Sequence, residues 1–276
     1  MKKKLIAAIA DLTQVINLDP NNADAYFDRG KAYAENKDYG QAIADFTEVI
    51  RLNPNSVKAH NSRGIAYADK GEIGRAIEDF SKAIRLNPKD TTAYFDRGAA
   101  YHLKGDLDRA IADYVQAIKL DPNNASAYYN RGLAYKKKGD YDLAIADYGQ
   151  TIKLNDHLPW AYYNRGIAYA CKSNDDMAIK DYSEAIRLDA NHAWAYNNRG
   201  IIYSKKGDHE LAIADYTQAI RLDPNNAWMY DNRGNAYLEK GEYKQAISDY
   251  KAVLRLKPNY DVARRNLEKA LQAQGK

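Results

Sequence analysis

The sequence predicts an all-α solenoid of antiparallel helix hairpins. Two features predict it: a 34-residue period through almost the whole chain, and apolar stripes at helical spacing inside each period. The period is marked by Arg29-Gly30, Arg63-Gly64, Arg97-Gly98, Arg131-Gly132, Arg165-Gly166, Arg199-Gly200 and Arg233-Gly234, each pair 34 residues after the last. Within one period Tyr26, Gly30 and Tyr33 fall at i, i+4 and i+7, the stripe of a first helix. Ala42, Ile43, Phe46, Val49 and Ile50 form the matching stripe of a second.

Taken in order, residues 1–22 match only a second helix, because Ala8-Ile9-Ala10-Asp11-Leu12 aligns with Ala42-Ile43-Ala44-Asp45-Phe46. The chain therefore starts in mid-repeat, which raises the expectation of a segment upstream. Seven full repeats follow, at 23–56, 57–90, 91–124, 125–158, 159–192, 193–226 and 227–260. Gly30 and Ala42 are small so that the two helices of a hairpin can approach closely. Gly105-Asp106, Gly139-Asp140 and Gly207-Asp208 read as a helix-ending glycine followed by an N-cap aspartate. Pro20, Pro54, Pro88, Pro122, Pro224 and Pro258 stop second helices, and the Asn-rich steps after them cap the next first helix. One joint is irregular: Asp156 replaces the closing proline, and Pro159 opens the next helix. Residues 261–276 form a final capping helix, where Arg264, Arg265, Glu268 and Lys269 meet water while Val262, Ala263, Leu267 and Leu271 cover the last repeat.

Composition excludes more than it assigns. A net charge of +4 with 28% charged residues is short of the clustered basic footprint of nucleic-acid binding. The single cysteine, Cys171, rules out an intramolecular disulfide and fits a reducing compartment, so a cytoplasmic protein is expected. The N-terminal apolar run stops at Asp11 without a cleavage site, and no apolar stretch approaches the ~18 residues of a membrane span. His60, His102, His157, His192 and His209 occupy five different repeat positions without metal-ligand spacing. No nucleophile elbow, phosphate-cradling glycine loop or HExxH helix occurs, so no enzyme activity, metal or cofactor is expected.

The frame Tyr26-x-x-Arg29-Gly30-x-x-Tyr33, then Ala42-x-x-x-Phe46, then Pro54 resembles the tetratricopeptide repeat over essentially the whole chain. The resemblance implies a right-handed superhelix and a non-catalytic scaffold that holds a protein or peptide in its concave groove. Arginine stands where the family usually has leucine, and Asp45, Asp79, Asp113, Asp147, Asp181, Asp215 and Asp249 recur with it. A ladder of partly buried pairs is expected from Arg131, Asp147, Arg165, Asp181, Arg199 and Asp215; Asp11 leaves open whether each bond lies within a repeat or crosses to its neighbour.

Most of the 24 tyrosines sit in three columns read as core. Basic columns at Lys70, Lys104, Lys138, Lys172, Lys206 and Lys240, and at Arg51 through Arg255, lie in last helical turns, where cations complement the helix dipole.

A second stripe on the first helices is not needed for hairpin packing. In repeat five it comprises Trp160, Tyr163, Asn164, Ile167 and Ala170. The family resemblance places it in the groove, where Trp160, Trp194 and Trp228 would anchor a partner, with Tyr129, Tyr163, Ile167 and Ile201 beside them. Asn130, Asn164, Asn198 and Asn232 would read its main chain. Ser126 and the tryptophans occupy the positions that a carboxylate clamp fills with basic residues, so that mode is not expected. Packing of tryptophan between adjacent helices is the competing reading. Two other functions compete: a structural module that assembles with itself, the N-terminal half-repeat being its contact, and a regulatory fragment of a larger chain. No nucleic-acid or membrane partner is expected.

Overall fold

The computed structural model describes residues 2–275 as two compact units, one ending at Gly139 and the other beginning at Asp140. Met1 and Lys276, the extremes of the predicted half-repeat and cap, lie outside the described residues. Sixteen α-helices and no strand occur among the described residues. In the N-terminal unit the first helices are α2 (Ala23–Glu35), α4 (Val57–Asp69), α6 (Thr91–Lys104) and α8 (Ala125–Lys138). The second helices are α1 (Lys2–Leu18), α3 (Tyr39–Leu52), α5 (Ile73–Leu86) and α7 (Leu107–Leu120). The C-terminal unit has second helices α9 (Tyr141–Leu154), α11 (Asp175–Leu188), α13 (His209–Leu222) and α15 (Tyr243–Leu256). Its first helices are α10 (Pro159–Cys171), α12 (Ala193–Lys205) and α14 (Ala227–Glu239), and α16 (Asp261–Gln274) closes it.

Within each unit, the most extensive packing joins a first helix to the second helix of its own hairpin, with a smaller contact to the preceding hairpin. The reason is steric. A Cβ added at Gly200 would stand 2.8 Å from Tyr216 Cε1, so only glycine lets that ring lie flat against the first helix. The ring column Phe46, Phe80, Tyr114, Tyr148, Tyr182, Tyr216 and Tyr250 is fully buried, as are Ala42, Ala76, Ala110, Ala144, Ala178, Ala212 and Ala246. Each such ring contributes roughly 1.5–3 kcal/mol of apolar burial.

The two tyrosine columns of the first helices pack against the core without being fully buried. They are mostly half-buried and flank the arginine between them: Arg199 Cζ lies 5.8 Å from the ring centroids of both Tyr196 and Tyr203. The rings hold the cation on their faces.

Turn chemistry sets the hairpin geometry. Gly71, Gly105, Gly139, Gly207 and Gly241 have φ between 76° and 88°, and Lys37 (64°) and Ser173 (57°) adopt the same left-handed region where glycine is missing. The aspartates after these glycines are not uniform caps. Asp106 accepts a bond from Arg109 N, whereas Asp140 and Asp208 hold the cap position without one. The first helices are capped more regularly: Asn22, Ser56, Asp90, Asn124, His192 and Asn226 all accept from a first-turn amide.

Candidate binding face on the first helices

The recurrent arginine is the post on which the first-helix face is mounted. Arg165 Nε and Nη2 donate to Asp181 Oδ2 and Oδ1, both at 2.8 Å, and Arg199 makes the same fork to Asp215. Arg29, Arg63, Arg97 and Arg233 repeat it with Asp45, Asp79, Asp113 and Asp249. These pairs lie within one repeat. The third nitrogen, Nη1, crosses to a hydroxyl on the preceding second helix: Thr13, Thr47, Ser81, Ser183 and Thr217 accept at 2.9–3.1 Å. At Asp79, burial pushes the carboxyl up, but hydrogen bonds from Arg63 and His60 outweigh it and hold it below the usual range. Arg131 lies between the rings of Tyr128 and Tyr135, at 5.6 and 5.9 Å, and Asp147 is buried on α9.

In the C-terminal unit, α10, α12 and α14 carry the second stripe. Trp194 is 45% exposed, Trp228 49% and Ile201 41%, three large apolar side chains of the first-helix face. Trp160, Tyr163 and Ile167 on α10 are half-buried beside them. Between α10 and α12 the face is hollowed into a pocket of about 410 Å³ lined by Ile167, Ala170, Cys171, Tyr182, Asn198, Ile201, Ile202 and Lys205. Trp228 is steadied from the C-terminal side: its ring meets Tyr260 edge-on at 5.4 Å, and Lys257 Nζ stands 4.3 Å from its centroid. Burial pushes the Tyr163 hydroxyl up, against a hydrogen bond from Asn198. His192 stacks on the Tyr163 ring at 4.5 Å.

The asparagine ladder is more engaged within the protein than its column suggests. Asn164 is buried and donates to Trp160 O at 2.9 Å on its own helix. Asn198 Nδ2 donates to the Tyr163 hydroxyl at 3.3 Å, and Asn232 Nδ2 donates to Asn197 Oδ1 at 3.0 Å. Asn197, 2% exposed, donates to Asn198 Oδ1 in turn. A primary amide has two hydrogens, so these bonds consume only part of each asparagine's capacity. Asn197 was not among the expected site residues. Its signal is a column otherwise holding Phe27, Phe95, Tyr129 and Tyr163, in which Asn61, Asn197 and Asp231 are polar exceptions.

Tyr129 and Asn130 occupy the corresponding positions of α8, in the N-terminal unit, and both are half-buried. Burial pushes the Tyr129 hydroxyl up. The lysine column has a partner beyond the helix dipole. Lys138 reaches Asp108, Lys172 reaches Asp142, Lys206 reaches Asp176 and Lys240 reaches Glu210, each at the start of a second helix one repeat back. Glycines 40 and 74 stand at the equivalent place for Lys70 and Lys104. Such exposed pairs are screened by solvent and contribute little to stability. No group of three or more potential metal ligands occurs among the described residues, and no helix there is long and apolar enough to cross a membrane.

Fold and face together define a helix-hairpin repeat solenoid with an open apolar stripe. A family model described as TPR repeat matches residues 2–37, 66–105, 98–139, 172–207 and 234–275. Models described as tetratricopeptide repeat match 23–56, 125–158, 193–226 and 215–248. The chain belongs to the tetratricopeptide-repeat family, whose fold serves as a scaffold for protein interaction and is typically non-catalytic. No curated protein matches the sequence. Among solved structures, MamA protein is 31% identical over 62% of this chain and 93% of its own, with a TM-score of 0.57. The Cut9–Hcn1 hetero-tetramer of the APC/C matches 97% of this chain at 23% identity and a TM-score of 0.63, and this chain spans only 52% of that one. YrrB, described as a TPR protein with an unusual peptide-binding site, is 24% identical over 68% of this chain and 97% of its own, with a TM-score of 0.61. The last two show the fold alone.

Proposed function

We propose that the first-helix face of the C-terminal unit holds an extended or helical segment of a partner protein. Trp160, Trp194 and Trp228 are its anchors, and an aliphatic side chain of the partner fills the pocket between Ile167 and Ile201. The observation that carries this reading is the joint exposure of Trp194, Trp228 and Ile201 beside an apolar hollow, on a fold that serves protein interaction. Asn164, Asn198 and Asn232 support the anchors: their internal bonds fix each amide's direction, Asn198 facing both the Tyr163 and Tyr182 hydroxyls, and the second amide hydrogen of Asn232 is offered to the partner's main chain. In the N-terminal unit, Tyr129 and Asn130 offer the same chemistry on α8. Selection of peptides from a random displayed library on the full chain tests the reading. Selected peptides should be rich in large aliphatic residues and protect α10, α12 and α14 from hydrogen exchange; protection confined to other helices would reject it.

A second reading is self-association through α1. It is favoured by Ile6, Val15 and Leu18, which are 55%, 41% and 88% exposed on that helix. Sedimentation at several concentrations separates the two, since a groove binder keeps a constant mass.

A further inference from the structure

In the C-terminal unit, successive first helices exchange a side-chain hydrogen bond at a fixed register. Asn198 meets Tyr163 and Asn232 meets Asn197, both 35 residues apart. In the N-terminal unit that register sets Asp96 of α6 against Asn61 of α4, two helices in contact. A third residue ties them together independently. Asn61 Nδ2 donates to Asp90 Oδ2 at 3.0 Å, and the charge of Asp90 acts on Asp96.

Two oxygens at this junction, Asn61 Oδ1 and Asp96 Oδ2, are buried and have no protein donor. Both are acceptors while the carboxyl is ionised. Reversing the Asn61 amide does not help, because its oxygen would then face the Asp90 carboxylate instead. In either orientation an acceptor meets an acceptor unless one carboxyl carries a hydrogen. Asp90 is the worse candidate, because both its oxygens already accept: Oδ1 caps α6 from Ala93 N at 3.0 Å and Oδ2 takes the Asn61 amide.

We infer that Asp96 carries a proton and donates it to Asn61 Oδ1, forming a proton-operated latch between the first helices of repeats two and three. Asp90 is the charged group that acts on Asp96, and from α7 the Tyr114 hydroxyl also faces it. Among the described residues of α4, α5 and α7, no cation acts on it to oppose protonation. Burial first, and Asp90 second, push the Asp96 carboxyl up to about 6. The folded value thus exceeds the unfolded one of ~3.9. The latch contributes its full stability below that unfolded value and loses it as pH rises through about 6. Above that, the Asp96 carboxylate faces the charge of Asp90 and α6 loosens from α4.

The test uses the full chain with carbon-13 in the aspartate carboxyls, titrated by NMR, together with melting temperatures from pH 4 to 8. Asp96 should titrate near 6, and the parent should lose melting temperature between about pH 4 and 6. Asp96→Asn supplies a permanent donor, so it should melt higher than the parent at pH 7 and abolish the loss. Asp96→Leu removes the same charge but leaves Asn61 Oδ1 without a donor, and should fall short of Asp96→Asn. An Asp96 midpoint near 4 would overturn the latch, as would equal stabilisation by leucine and asparagine. The parent titration decides the matter even if neither variant folds.

Discussion

Arg199 and Asp215 meet fork to fork, Nε to Oδ2 at 2.8 Å and Nη2 to Oδ1 at 2.7 Å, while Nη1 of the same arginine takes the Ser183 hydroxyl at 2.9 Å. One side chain thereby joins its own hairpin and ties it to the hairpin before. The hydrogen bond to Asp215 also raises the arginine's affinity for its proton. Arg199→Ala leaves Asp215 buried and unpaired and should cost about 3–5 kcal/mol. Replacing both residues with apolar side chains of matched volume should cost less, because no buried charge remains. Urea unfolding of both variants checks this; equal losses would mean the pair is not what is lost.

Arg165 makes the fork to Asp181 but lacks the third bond, because Gly149 stands where Thr13, Thr47, Ser81, Ser183 and Thr217 carry a hydroxyl. A Cβ at Gly149 would lie 3.7 Å from Arg165 Nη1, ordinary contact distance. Gly149→Ser should therefore add a hydroxyl to an existing donor and remove a helix glycine. Each change is worth about 0.5–1 kcal/mol, so a gain on the order of 1 kcal/mol is expected. The serine variant should melt above the parent and above Gly149→Ala; a serine no better than alanine would show that Nη1 does not recruit the hydroxyl.

The repeat period carried most of the fold because seven copies of one frame average out local ambiguity, and the Arg–Asp column was legible for the same reason. Three details were not. A period shows that Arg199 and Asp215 recur together, but not that Nη1 also reaches a hydroxyl one repeat back. It places Tyr196 and Tyr203 on the hairpin face without revealing that an arginine lies between them. The asparagine column likewise identified a face, while the side-chain bonds of Asn164, Asn198 and Asn232 depend on rotamers and on Asn197 in the adjacent column. Exposure of Trp194 and Trp228 follows from their first-turn position, and nothing in the period distinguishes that from burial against a neighbouring loop.

The first helix, α1, is held from one side by α2 and leaves Ile6, Val15 and Leu18 exposed. Local openings there should cost far less than global unfolding. Hydrogen exchange in a verified monomer should show residues 5–16 exchanging faster than the second helices α5 and α7. Protection equal to theirs would contradict a weak edge.

The central claim is that the exposed apolar stripe of α10, α12 and α14 binds rather than packs, and the affinity of Trp194→Ala for a selected peptide tests it most directly. Trp194 is nearly half exposed, so its truncation should leave the melting temperature near that of the parent. A buried aromatic anchor is worth about 2 kcal/mol or more in a complex, so affinity should fall at least roughly tenfold, and Asn198→Ala should cost less. A large drop in melting temperature with unchanged affinity would contradict the claim and assign Trp194 to packing between repeats.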